Sequence, residues 1–248
     1  MTKEITLDEL WASATLGQHV FHPDEFLDCP EAVRRYLEHA IAPDTKLASA
    51  VRLKMHGEIK LKDWLPFKAE QVICWNRGLI WNATVRMYGL PIIGSDRLID
   101  RVGAMKWKLL GLFPMMTASG ADITRSAIGR MQAESVWLPS ALCDRETSWA
   151  VKNSSHLYPD FAVQGEKTEL DFTIDDMGGL KSLKMQRWNN LNGIDYRYED
   201  FGGIVEAEGK FSGYTIPTQL RIGWYFGTDR FEPEGEFFRV TIDDAIYR

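Results

Sequence analysis

The stretch GADITRSAIGRMQAESVWLPSAL, residues 120–142, holds the only long helical pattern in a sequence that otherwise reads as strands. On a helical wheel with about 100° per residue, one side is apolar and carries Ile123, Ala127, Met131, Trp137 and Leu138. The opposite side is predicted to be polar and carries Thr124, Arg125, Gln132 and Ser135. Arg130 and Glu134, four residues apart, fall on the apolar side. The pattern therefore predicts a helix of about 17 residues that turns an arginine and a glutamate toward a sheet.

On both sides of this stretch, apolar residues recur at every second position, which is the period of a half-buried strand. About ten or eleven strands are predicted, and the short turns between them require antiparallel pairing. Residues 196–211 are predicted as two strands, 196–201 and 205–211, and residues 114–120 as a loop. A sheet of this size is expected to curl. The predicted fold class is α+β, mostly β: one large, strongly curved antiparallel sheet, a half-barrel, with the helix across its concave side.

Two shorter helical patterns precede the strands, at residues 5–14 and from Pro30 to Ile41. Pro30 fits the first turn of a helix because its missing N–H would have no partner there. These N-terminal helices are expected to cover one end of the sheet, so that residues 1–44 form a helical segment packed on it. No linker or internal repeat interrupts the chain, and a single domain spanning residues 1–248 is predicted.

The composition argues against several classes of protein. The net charge is −6 and the basic residues are dispersed, which does not favour nucleic-acid binding. Three distant cysteines without a CxxC pair indicate neither a disulfide framework nor a zinc site. The N-terminus, MTKEITLDELWASA, has no apolar signal region, and no apolar run is long enough to span a bilayer. A cytoplasmic location is expected, and the oligomeric state stays open.

Chemical motifs are few. The sequence has no P-loop, no GxGxxG and no HExxH, so nucleotide, dinucleotide and zinc-protease functions find no support. No cofactor and no metal site are predicted. Nine tryptophans, in contrast, indicate either a large aromatic core or an aromatic-lined cavity.

Two longer motifs are distinctive: SAxGRxxxExxWLPSAL at residues 126–142 and FGGxxxxxxxxxGYxIP at residues 201–217. Together with RRYLEHAI, VRLKMHGEIKL and EFFRVTIDDAIYR, they resemble an uncharacterised bacterial family known only as a domain of unknown function. The resemblance covers residues from about Pro30 to Arg248 and implies no activity. The expected architecture is similar to the half-barrels of lipoprotein and lipid carriers, which hold an acyl chain between a curved sheet and a helical lid. Those carriers are exported, whereas the N-terminus here predicts no export.

The inward-facing Arg130 and Glu134 leave two roles open. They could be a buried ion pair that braces the helix against the sheet, because buried charges are costly unless they are paired. They could equally line a functional site, where buried charges also cluster.

The first functional hypothesis is binding of a hydrophobic or amphipathic small molecule in the cavity between sheet and helix. Arg130 would meet the polar head group. The further candidates for ligand contact are Ser126, Arg187, Trp81, Trp107, Trp137, Trp224 and Tyr214. The second hypothesis is a cofactor-independent enzyme, a hydrolase, isomerase, lyase or cyclase, in the same cavity. Its catalytic residues would be Glu134 as the acid/base and Arg130 as the anion or carbonyl partner. A protein–protein adaptor is the third option.

Overall fold

The structure, a computed structural model, describes residues 4–17 and 19–248. Within these ranges the α-helices are α1 (Leu7–Ala12), α2 (Glu31–Ala40) and α3 (Ala121–Ala133). Short 3-10 helices span Pro23–Phe26, Glu134–Trp137 and Pro139–Cys143, and a π-helical turn spans Phe231–Gly235. α3 and the 3-10 turn that follows it form one helical segment, residues 121–137, of the predicted length.

The described strands all belong to one antiparallel sheet. The first wing of this sheet consists of β1 (Ala50–Lys60), β2 (Trp64–Cys74), β3 (Gly78–Met87), β4 (Leu90–Ile99), β5 (Val102–Leu109) and β6 (Phe113–Ser119). The second wing consists of β7 (Ser148–Asn153), β8 (His156–Val163), β9 (Glu166–Glu169), β10 (Asp171–Ile174), β11 (Leu180–Asn189), β12 (Arg197–Phe211), β13 (Tyr214–Trp224) and β14 (Glu236–Tyr247).

The two wings meet where the first strand pairs with the last. The sheet order is β6-β5-β4-β3-β2-β1-β14-β13-β12-β11-β10-β8-β7, and β9 pairs with β8. β1 and β14 run antiparallel from the pair Val51–Tyr247 to the pair Ile59–Phe238. Along β1 the buried Leu53 and Met55 alternate with the exposed Lys54 and His56, as the sequence period predicts.

The position of α3 shows how strongly the sheet curls. α3 contacts both β5 and β11, which lie eight strand steps apart in the sheet order. In a flat sheet those strands would lie roughly 38 Å apart, whereas a helix with its side chains is only about 10–12 Å wide. The two wings therefore wrap around the helix. Near one end they also touch directly, because Gln164 Nε2 in the β8–β9 turn donates to the Arg77 carbonyl at 3.0 Å. The fold is the predicted half-barrel, mostly β, with α3 on the concave side.

Three local predictions were wrong. Residues 113–119 form strand β6 rather than a loop; nearly all of them are exposed, so no alternation reveals the strand. Residues 197–211 form one strand rather than two. Gly202, which falls in the gap between the two predicted strands, is required there because a Cβ would lie 2.4 Å from the Leu183 carbonyl oxygen. In the helical segment 121–137, Gln132 and Ser135 are buried rather than on a polar face. The second wing covers Gln132, whose Nε2 donates to the Glu166 carbonyl at 3.0 Å.

The two N-terminal helices pack on different parts of the sheet. α1 begins with a capping box formed by Thr6 and Glu9 and packs against β2 and β3. α2 packs against β7, β8 and β13. Near its end, His39 Nε2 lies 2.9 Å from Glu208 Oε2 on β12. The hydrogen bond to Glu208 raises the pKa of His39 above its ordinary value, although burial opposes the shift.

The His39–Glu208 pair makes a pH-dependent contribution to stability. Because the folded-state pKa of His39 is raised, the contribution is complete below the unfolded value of about 6.5 and is lost as pH rises through the folded-state value. We expect wild type to exceed His39→Gln in free energy of unfolding by up to about 1 kcal/mol near pH 5.5, and by less at pH 8.5. Urea titrations at both pH values measure this. The control is His22→Gln, which affects a more exposed histidine. A difference that does not change with pH would refute the assignment.

Candidate functional site

A cavity of about 340 Å³ lies between α3 and the concave face of the sheet. The helix side of its wall includes Ile123, Ser126, Ala127, Arg130, Ala133, Glu134, Val136 and Trp137. The sheet side is dominated by apolar and aromatic residues from both wings: Ile59, Leu79, Trp81, Leu183, Phe201, Leu220, Ile222, Trp224, Phe237 and Phe238. Asp96, Arg97, Arg187, Asn189 and Tyr196 add polar groups. An apolar wall with few polar groups is typical of a small-molecule site.

Arg130 is the centre of a polar network at one side of this cavity. Its Nε donates to Glu134 Oε1 at 2.6 Å, as expected for residues four apart on a helix. Its two terminal nitrogens donate to Asp96 Oδ2 and Gln71 Oε1, each at 3.3 Å. Gln71 Nε2 in turn donates to Glu134 Oε2. The guanidinium also lies 5.1 Å from the centre of the Trp81 ring.

The register of three strands brings the network together. Gln71 on β2 pairs with Trp81 on β3, and Trp81 pairs with Asp96 on β4, so the three residues form one row across the sheet. α3 places Arg130 over this row. Burial alone would lower the pKa of Arg130, but Glu134 and Asp96 outweigh that effect and raise it. Arg130 is therefore a firmly charged brace between helix and sheet.

Glu134 has little freedom to act as an acid or base in this arrangement. One carboxylate oxygen accepts from Arg130 and the other from Gln71. Only 11% of its side chain is exposed. The contacts are those of a structural acceptor rather than of a group awaiting a proton from a substrate.

Arg187 differs from Arg130 in its partners. Its Nε donates to the Ser126 carbonyl at 3.3 Å, and its guanidinium lies 4.7 Å from the Phe201 ring centre and 5.4 Å from that of Trp224. Among the described residues, no carboxylate forms an ion pair with it. Burial lowers the pKa of Arg187 to about 10, and nearby Arg130 adds to the effect, whereas the carboxylates of Glu134 and Asp96 oppose it without contacting the guanidinium directly. The cavity wall thus carries a charged but unpaired guanidinium.

Gly129 of the SAxGR motif makes room for this arginine. A Cβ at Gly129 would lie 3.1 Å from Arg187 Cγ, closer than side chains normally approach. The absent side chain lets α3 pack directly on the stem of Arg187. The glycine and the following Arg130 therefore position two different guanidinium groups on the two sides of the helix.

The structure brings most of the predicted site residues together. The cavity wall includes Ser126, Arg130, Glu134, Arg187, Trp81, Trp137 and Trp224. Trp137 is buried and its Nε1 donates to the Pro217 carbonyl at 3.1 Å.

Two predicted ligand contacts lie elsewhere. Trp107 lies behind the wall, where its Nε1 donates to Asp96 Oδ1 at 2.9 Å and its ring packs 5.7 Å from that of Trp81. Tyr214 is outside the cavity, with its ring stacked 4.0 Å from Tyr247 and its hydroxyl donating to the Lys46 carbonyl. Trp107 thus supports Asp96 and Trp81 from outside the cavity, and Tyr214 links β13 to β14 and to the segment before β1.

Sequence reasoning missed Gln71 and Asp96. Gln71 shares the inward face of β2 with Phe67 and Ile73. A polar residue on the apolar face of a predicted strand could therefore have identified it as a candidate. Asp96 had no such signal, since Gly94 and Ser95 interrupt the alternation of β4. In residues 4–17 and 19–248, no three histidine, cysteine, aspartate or glutamate side chains are grouped so that they could hold a metal ion.

Comparison with protein families assigns residues 28–247 to a family of unknown function, DUF6920. The chain belongs to this family. The DUF6920 region contains every residue of the cavity wall and excludes α1. None of the curated proteins matches the sequence. No helix in the described part of the chain is long and apolar enough to cross a membrane.

Two solved structures are similar to this DUF6920 protein. One is a LolA superfamily protein from Nitrosomonas europaea, with a TM-score of 0.45 and 9% identity over 88% of this chain and 92% of the other. The second is a domain assigned as an outer membrane lipoprotein-sorting protein from Vibrio parahaemolyticus. It has a TM-score of 0.44 and 6% identity over 81% of this chain and 86% of the other.

Proposed function

We propose that the protein binds an amphipathic small molecule whose head group is anionic. The observation that carries the proposal is the unpaired guanidinium of Arg187 in the wall of an otherwise apolar cavity. A partly buried guanidinium that no carboxylate contacts directly is unfavourable, and an anionic ligand would supply a direct partner.

The surroundings of Arg187 indicate how such a ligand would lie. Ser126, Asn189 and Tyr196 place further polar groups on the Arg187 side of the wall. Phe237, Phe238 and Ile59 belong to the apolar remainder. A carboxylate, sulfate or phosphate at Arg187 would leave the apolar tail to fill the space between the two wings. The cavity volume, about 340 Å³, lies within the range of roughly 300–1,000 Å³ typical of small-molecule sites.

This assignment moves the head group from Arg130, which the sequence favoured, to Arg187. Arg130 already has two carboxylates and an amide oxygen as partners, so an anion there would compete with Glu134 and Asp96. The catalytic alternative gains no support from the described contacts, because both oxygens of Glu134 are engaged.

A series of probes with one chain and three head groups tests the proposal. After removal of co-purified lipid, dodecanoate, dodecanol and dodecyltrimethylammonium are titrated below their micelle concentrations and followed by calorimetry or tryptophan fluorescence. A charge-assisted hydrogen bond contributes about 1.5–3 kcal/mol, so we expect dodecanoate to bind about 10- to 100-fold more tightly than dodecanol. The cationic probe is expected to bind most weakly.

Arg187→Met should remove the preference for dodecanoate and leave the affinity for dodecanol close to that of wild type. Lys184→Met is the matched control, because Lys184 lies on the same strand, carries the same charge and pairs with Asp200 outside the cavity. Equal binding of dodecanoate and dodecanol by wild type would refute an anionic head group. A preference that survives in Arg187→Met would refute the role of Arg187.

A further inference from the structure

Three neighbouring turns at one end of the first wing carry exposed large apolar residues. In an antiparallel sheet of successive hairpins, alternate turns lie at the same end, so the β1–β2, β3–β4 and β5–β6 turns are neighbours. Tyr88 Oη donates to Asp63 Oδ2 at 3.2 Å, which joins the first two turns. We call residues 60–64, 86–91 and 108–114 the tip surface. Its exposed apolar side chains are Leu61, Tyr88, Leu90, Leu110, Leu112 and Phe113.

Two of these residues, Tyr88 and Leu110, are unusual for the backbone conformation of their turns. Among the described hairpins, five turns have both central residues at positive φ, a conformation that favours asparagine, aspartate or glycine. Three of them begin with a polar residue: Asp100, Gln164 and Ser212. The two on the tip surface begin with Tyr88 and Leu110, at φ values of 51° and 56°. A large apolar side chain there is costly both in conformation and in contact with water.

The opposite end of the same strands provides an internal comparison. There the β2–β3 turn contains Asn76 and Arg77, and the β4–β5 turn contains Asp100 and Arg101. Large apolar residues at the centres of the turns are therefore restricted to one end of the wing.

Charge identifies the class of partner. The three segments of the tip surface contain Lys60, Lys62, Arg86 and Lys108 but only one acid, Asp63, in a chain whose net charge is −6. Apolar side chains that protrude from separate turns, with basic residues around them, suit insertion between anionic lipid head groups better than a flat protein interface.

We propose that the tip surface docks on an anionic lipid bilayer. The apolar tips would enter the head-group region and the four basic residues would contact anionic lipids. This docking goes beyond ligand binding in the cavity and does not require it, since no residue of the tip surface lines the cavity.

The test is co-sedimentation of the full chain with vesicles of phosphatidylcholine alone and of phosphatidylcholine with phosphatidylglycerol. We expect binding to the mixed vesicles, weaker binding to the neutral ones, and release by salt. The double variant Tyr88→Asn, Leu110→Asn should lower binding at least about tenfold. Asparagine suits the positive φ of both positions, so this variant is expected to fold at least as stably as wild type.

Val102→Ser is the control, because it removes an exposed apolar residue from the opposite end of the wing and should leave vesicle binding unchanged. The proposal would be overturned if wild type fails to sediment with the mixed vesicles, binds both vesicle types equally, or binds as well after the double substitution. A concentration-dependent dimer that the double variant abolishes, without vesicle binding, would instead assign the surface to a second copy of the chain.

Discussion

Arg130→Leu is expected to lower the free energy of unfolding by about 3–5 kcal/mol, which is the usual cost of removing one partner from a buried ion pair. The side chains of Glu134 and Asp96 are only 11% and 20% exposed, so both carboxylates would lose their ion-pair partner where they have little access to water. Gln71 Oε1 would lose the hydrogen bond that it accepts from Arg130, and Trp81 would lose the guanidinium that lies over its ring. The helix would therefore detach from the row of residues that it covers.

Urea unfolding monitored by tryptophan fluorescence measures this loss. Arg125→Leu is the matched control, because Arg125 lies exposed on the same helix, and its effect should stay within about 0.5 kcal/mol. Adding Glu134→Gln to Arg130→Leu should recover part of the loss, since one uncompensated charge disappears. A loss below about 1 kcal/mol for Arg130→Leu would show that the network is not a brace, and would return Arg130 to the candidates for ligand binding.

The sequence predicts this brace only in part. The wheel positions of Arg130 and Glu134 follow from the helical period, which depends on local sequence alone. Their sheet partners depend on the register that aligns Gln71, Trp81 and Asp96 across three strands. Register between strands is fixed by turn geometry and by packing on the whole face, and neither can be derived from the local pattern.

The limits of the strand predictions have similar physical causes. β12 was predicted as two strands with residues 202–204 between them, whereas close contact with Leu183 and Phe226 requires Gly202 within a continuous strand. β6 was missed because it lies at the sheet edge with both faces largely exposed, and because an edge strand tolerates Pro114. The predictions held where one face is buried and the other is wet, as along β1.

The distinction between the two inward arginines could be predicted only as far as the spacing of four residues between Arg130 and Glu134. The phases of α3 and β11 indicate that Arg130 and Arg187 both point toward the core. Which of them is neutralised depends on a carboxylate that arrives from β4, far away in the sequence. The structure pairs Arg130 with two acids and leaves Arg187 against aromatic rings.

Arg187→Met is expected to have the opposite effect on stability from Arg130→Leu. In the absence of ligand, the variant should unfold with a free energy about 1–3 kcal/mol higher than wild type, because a partly buried charge that no carboxylate contacts directly is replaced by an apolar side chain of similar length. The lost contacts with Phe201 and Trp224 reduce this gain but do not cancel it, since methionine also packs well against aromatic rings.

Dodecanoate should raise the free energy of unfolding of wild type more than that of Arg187→Met. At a free concentration of about 100 times its Kd, a ligand stabilises the protein that binds it by about 2.7 kcal/mol, whereas a variant with 100-fold weaker affinity gains only about 0.4 kcal/mol. Urea unfolding of wild type, Arg187→Met and Lys184→Met with and without dodecanoate measures both effects. Lys184→Met should follow wild type in its response to the ligand.

If Arg187→Met is less stable than wild type without ligand, Arg187 is a structural residue, and its unpaired guanidinium no longer indicates a ligand site. If the variant is more stable but responds fully to dodecanoate, the cavity binds the tail alone. We expect Arg187→Met to be more stable than wild type without ligand and to be stabilised less by dodecanoate. This combination is expected of a residue that serves binding rather than folding.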